Sequence, residues 1–402
     1  MITLDTLPQI IAWLILALSA GGAAMVFLVY PACLGMRALG SRELRPSKKT
    51  PSATEECRKI SMITVTGDAG ERLRKKVKNL ADLDYPHEKM EFILYGDGVA
   101  DIGFDIRQML PGITVRVLLC ERHRGKAFGL NKAVAAATGE LLVFSDTDAM
   151  LDRGALKSLT QYFNDPAIGG VCGLRSIHRE RQALCNAQVK YLAFDNLIKS
   201  LESRTSSLTS NEGKLYAIRK ELFKPVDPAA TDDLYTCLAV IRAGYRFVLA
   251  PDAAAYINAP SKHSRHELTR RRRVVVRSLH GIYQNRALLN PRRYGFYSFG
   301  LFVNKIMRRS LPLFMIGIFI SSVALSFQHD WARFLLGAQA VFYCFPVLFV
   351  ILPGEHASSN LGKMYHKAIA VPTYFILGNA GTLLGVIDFL RGRRITKWIS
   401  VK

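Results

Sequence analysis

Four apolar runs frame the chain, one near its start and three near its end, with a long stretch of short alternating apolar segments between them. Pro8 to Tyr30 carries no charged residue and is long enough to cross a bilayer. Leu311–Phe327, Phe334–Pro353 and Ala368–Ile387 are also charge-free and near spanning length. Between about Glu56 and Ala259 the period changes. Short apolar strands alternate with helical patterns, which predicts an α/β domain with a mostly parallel sheet. The expected strands are Ile60–Thr66, Glu91–Tyr95, Ile113–Leu119, Leu141–Phe144, Gly169–Leu174, Gly213–Arg219 and Arg246–Ala250. The expected helices are Glu71–Leu83, Lys126–Thr138, Leu151–Phe163, Arg179–Arg204 and Asp232–Ala243. Beyond Lys262 comes a helical pattern with Val275, Leu279 and Ile282 on one face. Tyr294, Phe296, Tyr297, Phe299 and Phe302 follow, mixed with basic residues, as a helix in a membrane interface requires. The expected layout is a spanning segment at 1–36, a linker at 37–55, a soluble domain at 56–259, interfacial helices at 260–310, further spans at 311–390 and a basic tail at 391–402.

Charge gives this layout a direction. Half of the residues are hydrophobic, yet 54 Lys and Arg stand against 32 Asp and Glu, a net charge of +22. Only Asp5 precedes the first run, whereas Arg37, Arg42, Arg45, Lys48 and Lys49 follow it. That asymmetry places the amino terminus outside and the α/β domain in the cytoplasm, at an inner membrane whose lipids attract the basic residues. Four spans return the chain to the outside, which conflicts with a tail carrying Arg391, Arg393, Arg394, Lys397 and Lys402. The short run Leu311–Phe327 is the weakest of the four. Nucleic acid is not the expected partner, because the basic residues crowd beside apolar segments and form no nucleic-acid motif. Seven dispersed Cys without a CxxC pair argue against zinc and fit reduced thiols.

The chemistry concentrates where strands end. Leu141 to Phe144 runs into Ser145-Asp146-Thr147-Asp148. Residues two apart on a strand point the same way, and strand carboxyl ends of an open α/β sheet face a ligand crevice. Two carboxylates there suit Mg²⁺ or Mn²⁺ shared with substrate phosphates. Asp97 stands between Gly96 and Gly98 at another strand end, either in a plain Asp-Gly turn or meeting a base or ribose edge. Lys126 opens a helix, where an ammonium can meet phosphate oxygens. Asp232 and Asp233 open another behind Thr231. They can serve the helix dipole with Thr231 as N-cap, or supply a general base for an acceptor hydroxyl. Arg270 to Arg273 can hold a diphosphate or meet anionic lipid headgroups.

In this order these residues resemble a membrane-bound family 2 glycosyltransferase with a GT-A fold, the nucleotide-diphospho-sugar transferase architecture. Gly96-Asp97-Gly98-Val99 is similar to its first carboxylate motif with one Asp missing. Gly125, Lys126, Leu130 and Asn131 match its Gly-Lys…Leu-Asn segment, and Asp146 and Asp148 its DxD. Gly213, Tyr216, Ala217 and Arg219 match its acceptor-side strand, and Asp232-Asp233 its Glu-Asp base motif. The Gln-x-x-Arg-Trp motif of the family's polymer synthases keeps only Arg273. The resemblance implies a nucleotide-diphospho-sugar donor, a divalent ion at Asp148 and Asp146, Asp97 at the nucleoside and Asp233 as base. It implies substrate contacts from Lys126, Asn131, Asp232, Arg270 and Arg273. It also implies an inverting transfer to a lipid-linked or polysaccharide acceptor at the cytoplasmic face. The other readings are a membrane nucleotidyltransferase, which needs no acceptor-side base, and a degenerate, non-catalytic subunit of a polysaccharide export complex.

Overall fold

The computed structural model describes residues 7–41, 57–177, 183–257, 264–351 and 360–396. The linker expected around Arg45–Thr54 and the final basic residues Lys397 and Lys402 lie outside the described residues. Helix α1 (Leu7–Ala24) passes through a π-helical turn at Met25–Val29 into α2 (Tyr30–Leu39), so the first helical stretch runs past Arg37. The soluble domain follows as β1 (Ile60–Thr66), α3 (Glu71–Ala81), β2 (Met90–Asp97), α4 (Ile106–Met109), β3 (Thr114–Cys120) and α5 (Lys126–Ala136). It continues as β4 (Leu141–Ser145), β5 (Met150–Leu151), α6 (Ala155–Thr160), β6 (Ile168–Ile177), α7 (Ala183–Thr205), β7 (Leu215–Arg219), α8 (Asp232–Arg242) and β8 (Arg246–Ile257). Then come α9 (Ser264–Gln284), the short α10 (Pro291–Tyr294) and α11 (Phe296–Leu301), and the apolar α12 (Leu311–Ser326), α13 (Asp330–Ile351) and α14 (Asn360–Leu390).

The eight strands form one sheet in the order β3-β2-β1-β4-β7-β6-β8-β5. It is more mixed than the sequence pattern implies. β3, β2, β1 and β4 run parallel, as do β6 and β8, but β7 is antiparallel to both β4 and β6, and β5 to β8. Periodicity reports burial and not strand direction, so the reversal at β7 was not readable. The β1 strand is buried along its whole length, as a fully covered central strand must be. The β8 strand extends through Pro251 to Ile257 because its second half pairs with the end of β6 and with β5 after a register shift at Gly173/Leu174. A reading that stopped the strand at the proline misses that continuation.

The chain runs outward from β1 through β2 to β3, then returns to place β4 on the other side of β1. That reversal opens a crevice at the carboxyl ends of β1 and β4, where open α/β sheets bind ligands. Cores fill both sides of the sheet. Tyr297 and Leu301, from the stretch expected at a membrane interface, are buried in one of these cores. Phe296 and Phe299 pack against Tyr30. These aromatics are therefore spent largely on protein contacts.

Among the described residues three helical stretches are long and apolar enough to cross a membrane, Leu7–Leu39, Asp330–Ile351 and Ala368–Leu390. Phe296–Arg309 and Leu311–Ser326 pass the same test only together, bent by 58°, which is the weakness foreseen for that run. Gly378, Gly381 and Gly385 form a small-residue face on α14, against which α9 seats. A Cβ on Gly385 would lie 2.7 Å from the Val275 Cβ and 2.9 Å from the Arg272 carbonyl. Close helix approach over small residues is the usual solution in apolar surroundings.

Candidate active site

The carboxyl ends of β1 and β4, the start of α8 and the basic helix α9 enclose a cleft of about 1400 Å³. It reaches from Thr66 at the end of β1 and Asp68 just beyond it to Phe27 and Phe375 on the apolar helices. Asp146, Asp148, Lys126, Asp232, Asp233, Arg270 and Arg273 all line it.

Asp146 and Asp148 leave the end of β4 as the spacing predicts. Lys126, the first residue of α5, reaches across to Asp146 Oδ1 and Asp232 Oδ2, each at 2.8 Å. One ammonium thus joins the two acidic motifs, which are distant in sequence. Burial alone would raise the Asp146 carboxyl, but Lys126 and Lys214 outweigh it and hold the group well below the usual carboxylate range. Burial would likewise lower Lys126, and Asp146 with Asp232 raises it well above its ordinary value instead.

Asp233 has the opposite environment. Burial, then the neighbouring Asp232 carboxylate, pushes its carboxyl up to about 6. Its Oδ1 accepts from the Leu234 N–H at 2.7 Å. Its Oδ2 faces Gly213, where a Cβ would lie only 2.8 Å away. Thr231 occupies the N-cap position of α8 but makes no capping bond with its side chain. Its hydroxyl, like that of Thr147, is buried on the cleft wall without a hydrogen-bond partner. Orphaned hydroxyls there are open to a bound polar ligand.

Two expected contact residues do other work. Asp97 is buried and absent from the cleft wall. Its oxygens accept from the Arg124 N–H at 2.6 Å and the Gly125 N–H at 2.9 Å, with His123 Nδ1 2.8 Å away. Gly125 has φ +99°, a conformation open to glycine and strained for other residues. Asp97 therefore shapes the turn that aims Lys126. The Asn131 amide is spent on the Val226 backbone, donating to its carbonyl at 3.1 Å and accepting its N–H at 2.8 Å.

The arginines of α9 divide. Arg270 and Arg271 donate to the buried Glu267, and Arg271 also to the Tyr374 hydroxyl. Arg272 pairs with Asp388 of α14 at 2.5 Å. Those three guanidinium groups are thus engaged within the protein. Arg273 faces the cleft and is the α9 arginine with no hydrogen bond or ion pair among the described residues.

Sequence reasoning missed two lysines. Lys76 of α3 is fully buried and donates to Ser145 Oγ at 2.8 Å and the Ala149 carbonyl at 2.6 Å, bracing the turn that carries both aspartates. Burial lowers it to about 7 against the pull of Asp146 and Asp148. Lys214 stands just before β7. The antiparallel pairing Ser145↔Leu215 brings it opposite Asp146. Its Nζ lies 3.0 Å from Asp146 Oδ2 and 2.7 Å from Asp148 Oδ1. The β4–β7 pairing is what would have revealed it.

The donor set fits a hard divalent ion shared with a diphosphate. Two carboxylates converge, and an ammonium already sits against both. Among the described residues no three His, Cys, Asp or Glu side chains are grouped so that they could hold a metal ion, so further ligands would come from substrate or water, a familiar arrangement for Mg²⁺.

A mixed α/β sheet with paired aspartates at its switch point and an acidic pair across the cleft defines a GT-A-like transferase fold. Residues 59–277, more than half of the chain, match the family described as "Glycosyltransferase like family 2", and the chain belongs to it. It is 25% identical over 232 residues to a poly-beta-1,6-N-acetyl-D-glucosamine synthase of Staphylococcus aureus, covering 55% of each chain. The corresponding Staphylococcus epidermidis synthase is 24% identical over 185 residues, 45% of this chain and 44% of that one. The chain spans about half the length of the curated relatives it matches. Among solved structures, a mannosyltransferase from Pyrobaculum calidifontis, in complex with GDP-Man and Mn²⁺, superposes with a TM-score of 0.68. It is 19% identical and covers 96% of this chain and 100% of that one, a likeness of fold.

Proposed function

We propose that the protein is an inverting, metal-dependent glycosyltransferase. It moves a sugar from a nucleotide-diphospho-sugar to a hydroxyl of a lipid-linked or polysaccharide acceptor at the cytoplasmic membrane face. The observation that carries this reading is the single cleft in which Lys126 ties Asp146 to Asp232, with Asp233 beside them. A divalent ion, Mg²⁺ or Mn²⁺, held by Asp148 and Asp146 would offset charge on the departing diphosphate. Lys126 and Arg273 meet phosphate oxygens. Asp233 takes the proton of the acceptor hydroxyl as its oxygen attacks the anomeric carbon. The bond from that carbon to the diphosphate breaks on the opposite face, and the nucleoside diphosphate leaves with the electron pair. One displacement inverts the anomeric centre, and a carboxyl near 6 is matched to base work at neutral pH.

Phe27, Phe194 and Phe375 line the end of the cleft near the apolar helices, a suitable approach for an acceptor carried in or beside a membrane. Asp97 and Asn131 support the donor side through the backbone they hold. A nucleotidyltransferase would have no use for Asp233, and a non-catalytic subunit none for its raised affinity for protons. The test is a panel of nucleotide sugars offered with Mn²⁺ to the detergent-purified protein. Release of nucleoside diphosphate with a glycosylated product supports transfer. Pyrophosphate release supports the nucleotidyltransferase, and failure to bind any nucleotide supports the non-catalytic subunit.

A further inference from the structure

The carboxylates read above as the metal seat are not waiting open. Lys214 Nζ lies 3.0 Å from Asp146 Oδ2 and 2.7 and 2.9 Å from the two oxygens of Asp148. It therefore touches both Asp148 oxygens and the Asp146 oxygen that Lys126 leaves free. A divalent ion bound by both aspartates needs those same oxygens, and its charge would stand directly against that of the ammonium. The ammonium and the ion cannot occupy the seat together.

Lys214 is held to this position by the fold. Its carbonyl accepts from Ser145 Oγ at 3.0 Å, and Ser145 in turn accepts from the buried Lys76. The backbone at 214 is thus fixed beside β4, while the four-carbon side chain can swing. Lys214 lines the cleft and Asp148 beside it is about half-exposed, so the side chain has room to move toward the open cleft.

We propose that Lys214 is a built-in counter-ion that closes the metal seat until a diphosphate arrives. An ion entering alone must displace an ammonium from two carboxylates and gains only those two side chains. An ion entering with a diphosphate brings further oxygen ligands, and the displaced ammonium gains a phosphate partner. Metal and donor then bind cooperatively. By linkage each tightens the other by the same factor. The enzyme would thus not hold a metal without a donor to activate. The proposal rests on Asp146 and Asp148 being the metal seat, and its test separates the two ideas.

The experiment titrates Mn²⁺ into the full-length protein in detergent and reads free hexaaqua Mn²⁺ by EPR, with and without UDP or GDP. In the native protein Mn²⁺ alone binds weakly, and a nucleoside diphosphate tightens it at least about tenfold. Lys214→Met and Lys214→Gln bind Mn²⁺ alone at least about tenfold more tightly than the native protein, and their metal–nucleotide coupling shrinks. Lys214→Arg keeps the charge and stays weak. Native-like or weaker affinity for Mn²⁺ alone in folded Lys214→Met and Lys214→Gln overturns the proposal, even where nucleotide tightens the metal normally. Conversely, tight Mn²⁺ binding in those variants with no nucleotide effect in any form upholds Lys214 as the counter-ion of a metal seat, overturns its release by a diphosphate and sinks the donor reading.

Discussion

Gly213→Ala is the smallest change that reaches the proposed base. The added Cβ would meet Asp233 Oδ2 at 2.8 Å, with Asp233 Cβ and Cγ both at 3.3 Å. Ordinary contact begins at 3.4 Å, so the carboxylate must retreat by about 0.6 Å, the difference between those two distances. Gly213 does not have a positive φ, so alanine introduces no backbone strain. Losing a glycine's freedom in the unfolded chain is worth about 0.4–1 kcal/mol of stability, which offsets part of the crowding. A misplacement of about 1 Å at a reacting group costs about 100-fold in rate; about half that distance corresponds to roughly tenfold. The expected signature is a thermal midpoint near that of the native protein, an unchanged KM for the nucleotide sugar and a kcat about tenfold lower. Steady-state kinetics on purified protein with a donor found by screening reads both constants. A native kcat in Gly213→Ala would remove the Asp233 carboxylate from the reacting position.

Other expectations follow from the same geometry. Transfer should fall as pH drops through about 6, because Asp233 acts ionised and its carboxyl is raised to that value. About nine-tenths of it is ionised one unit above and about one-tenth one unit below; a flat kcat/KM profile from pH 5 to 8 refutes this. Arg273→Ala should raise the donor KM about tenfold or more without loss of stability, since among the described residues this arginine has no hydrogen bond or ion pair to abandon. Arg272→Ala should do the reverse. Among the described residues it leaves Asp388 paired with Arg393 alone, at 3.6 Å, and costs about 1–3 kcal/mol, between an exposed and a buried pair, which a lowered thermal midpoint in detergent would report. Gly385→Val should loosen α9 from α14, because even a Cβ comes within 2.7 Å of Val275. A midpoint unchanged within error would show that the helices are not seated as described.

Much of this was legible in the residues. The strand-end position of Asp146 and Asp148 follows from an apolar run that stops at two carboxylates. The helix start at Asp232 follows from its acidic opening and the apolar spacing behind it. What the sequence hides is pairing across long separations. Lys214 becomes informative only once β7 is known to lie antiparallel to β4, and Lys76 only once α3 is packed beneath the β4 turn. Asp97 and Asn131 stand out in the sequence by their motif positions. Their partners in the structure are backbone groups at 124–125 and 226, with the His123 ring also beside Asp97, and a motif does not say whether its side chain meets ligand or loop. The four arginines read as one charge cluster, but Glu267 and Asp388, one of them more than a hundred residues away, bind three of them.

The central claim is that Asp233 acts as base in the cleft where Asp148 and Asp146 hold the activated donor. The most direct measurement is single-turnover transfer by Asp233→Asn beside nucleotide binding by the same preparation. The account predicts native affinity for the donor nucleotide with Mn²⁺ and a transfer rate lower by about 100-fold or more, the scale of a lost general base. Native transfer by Asp233→Asn would contradict it.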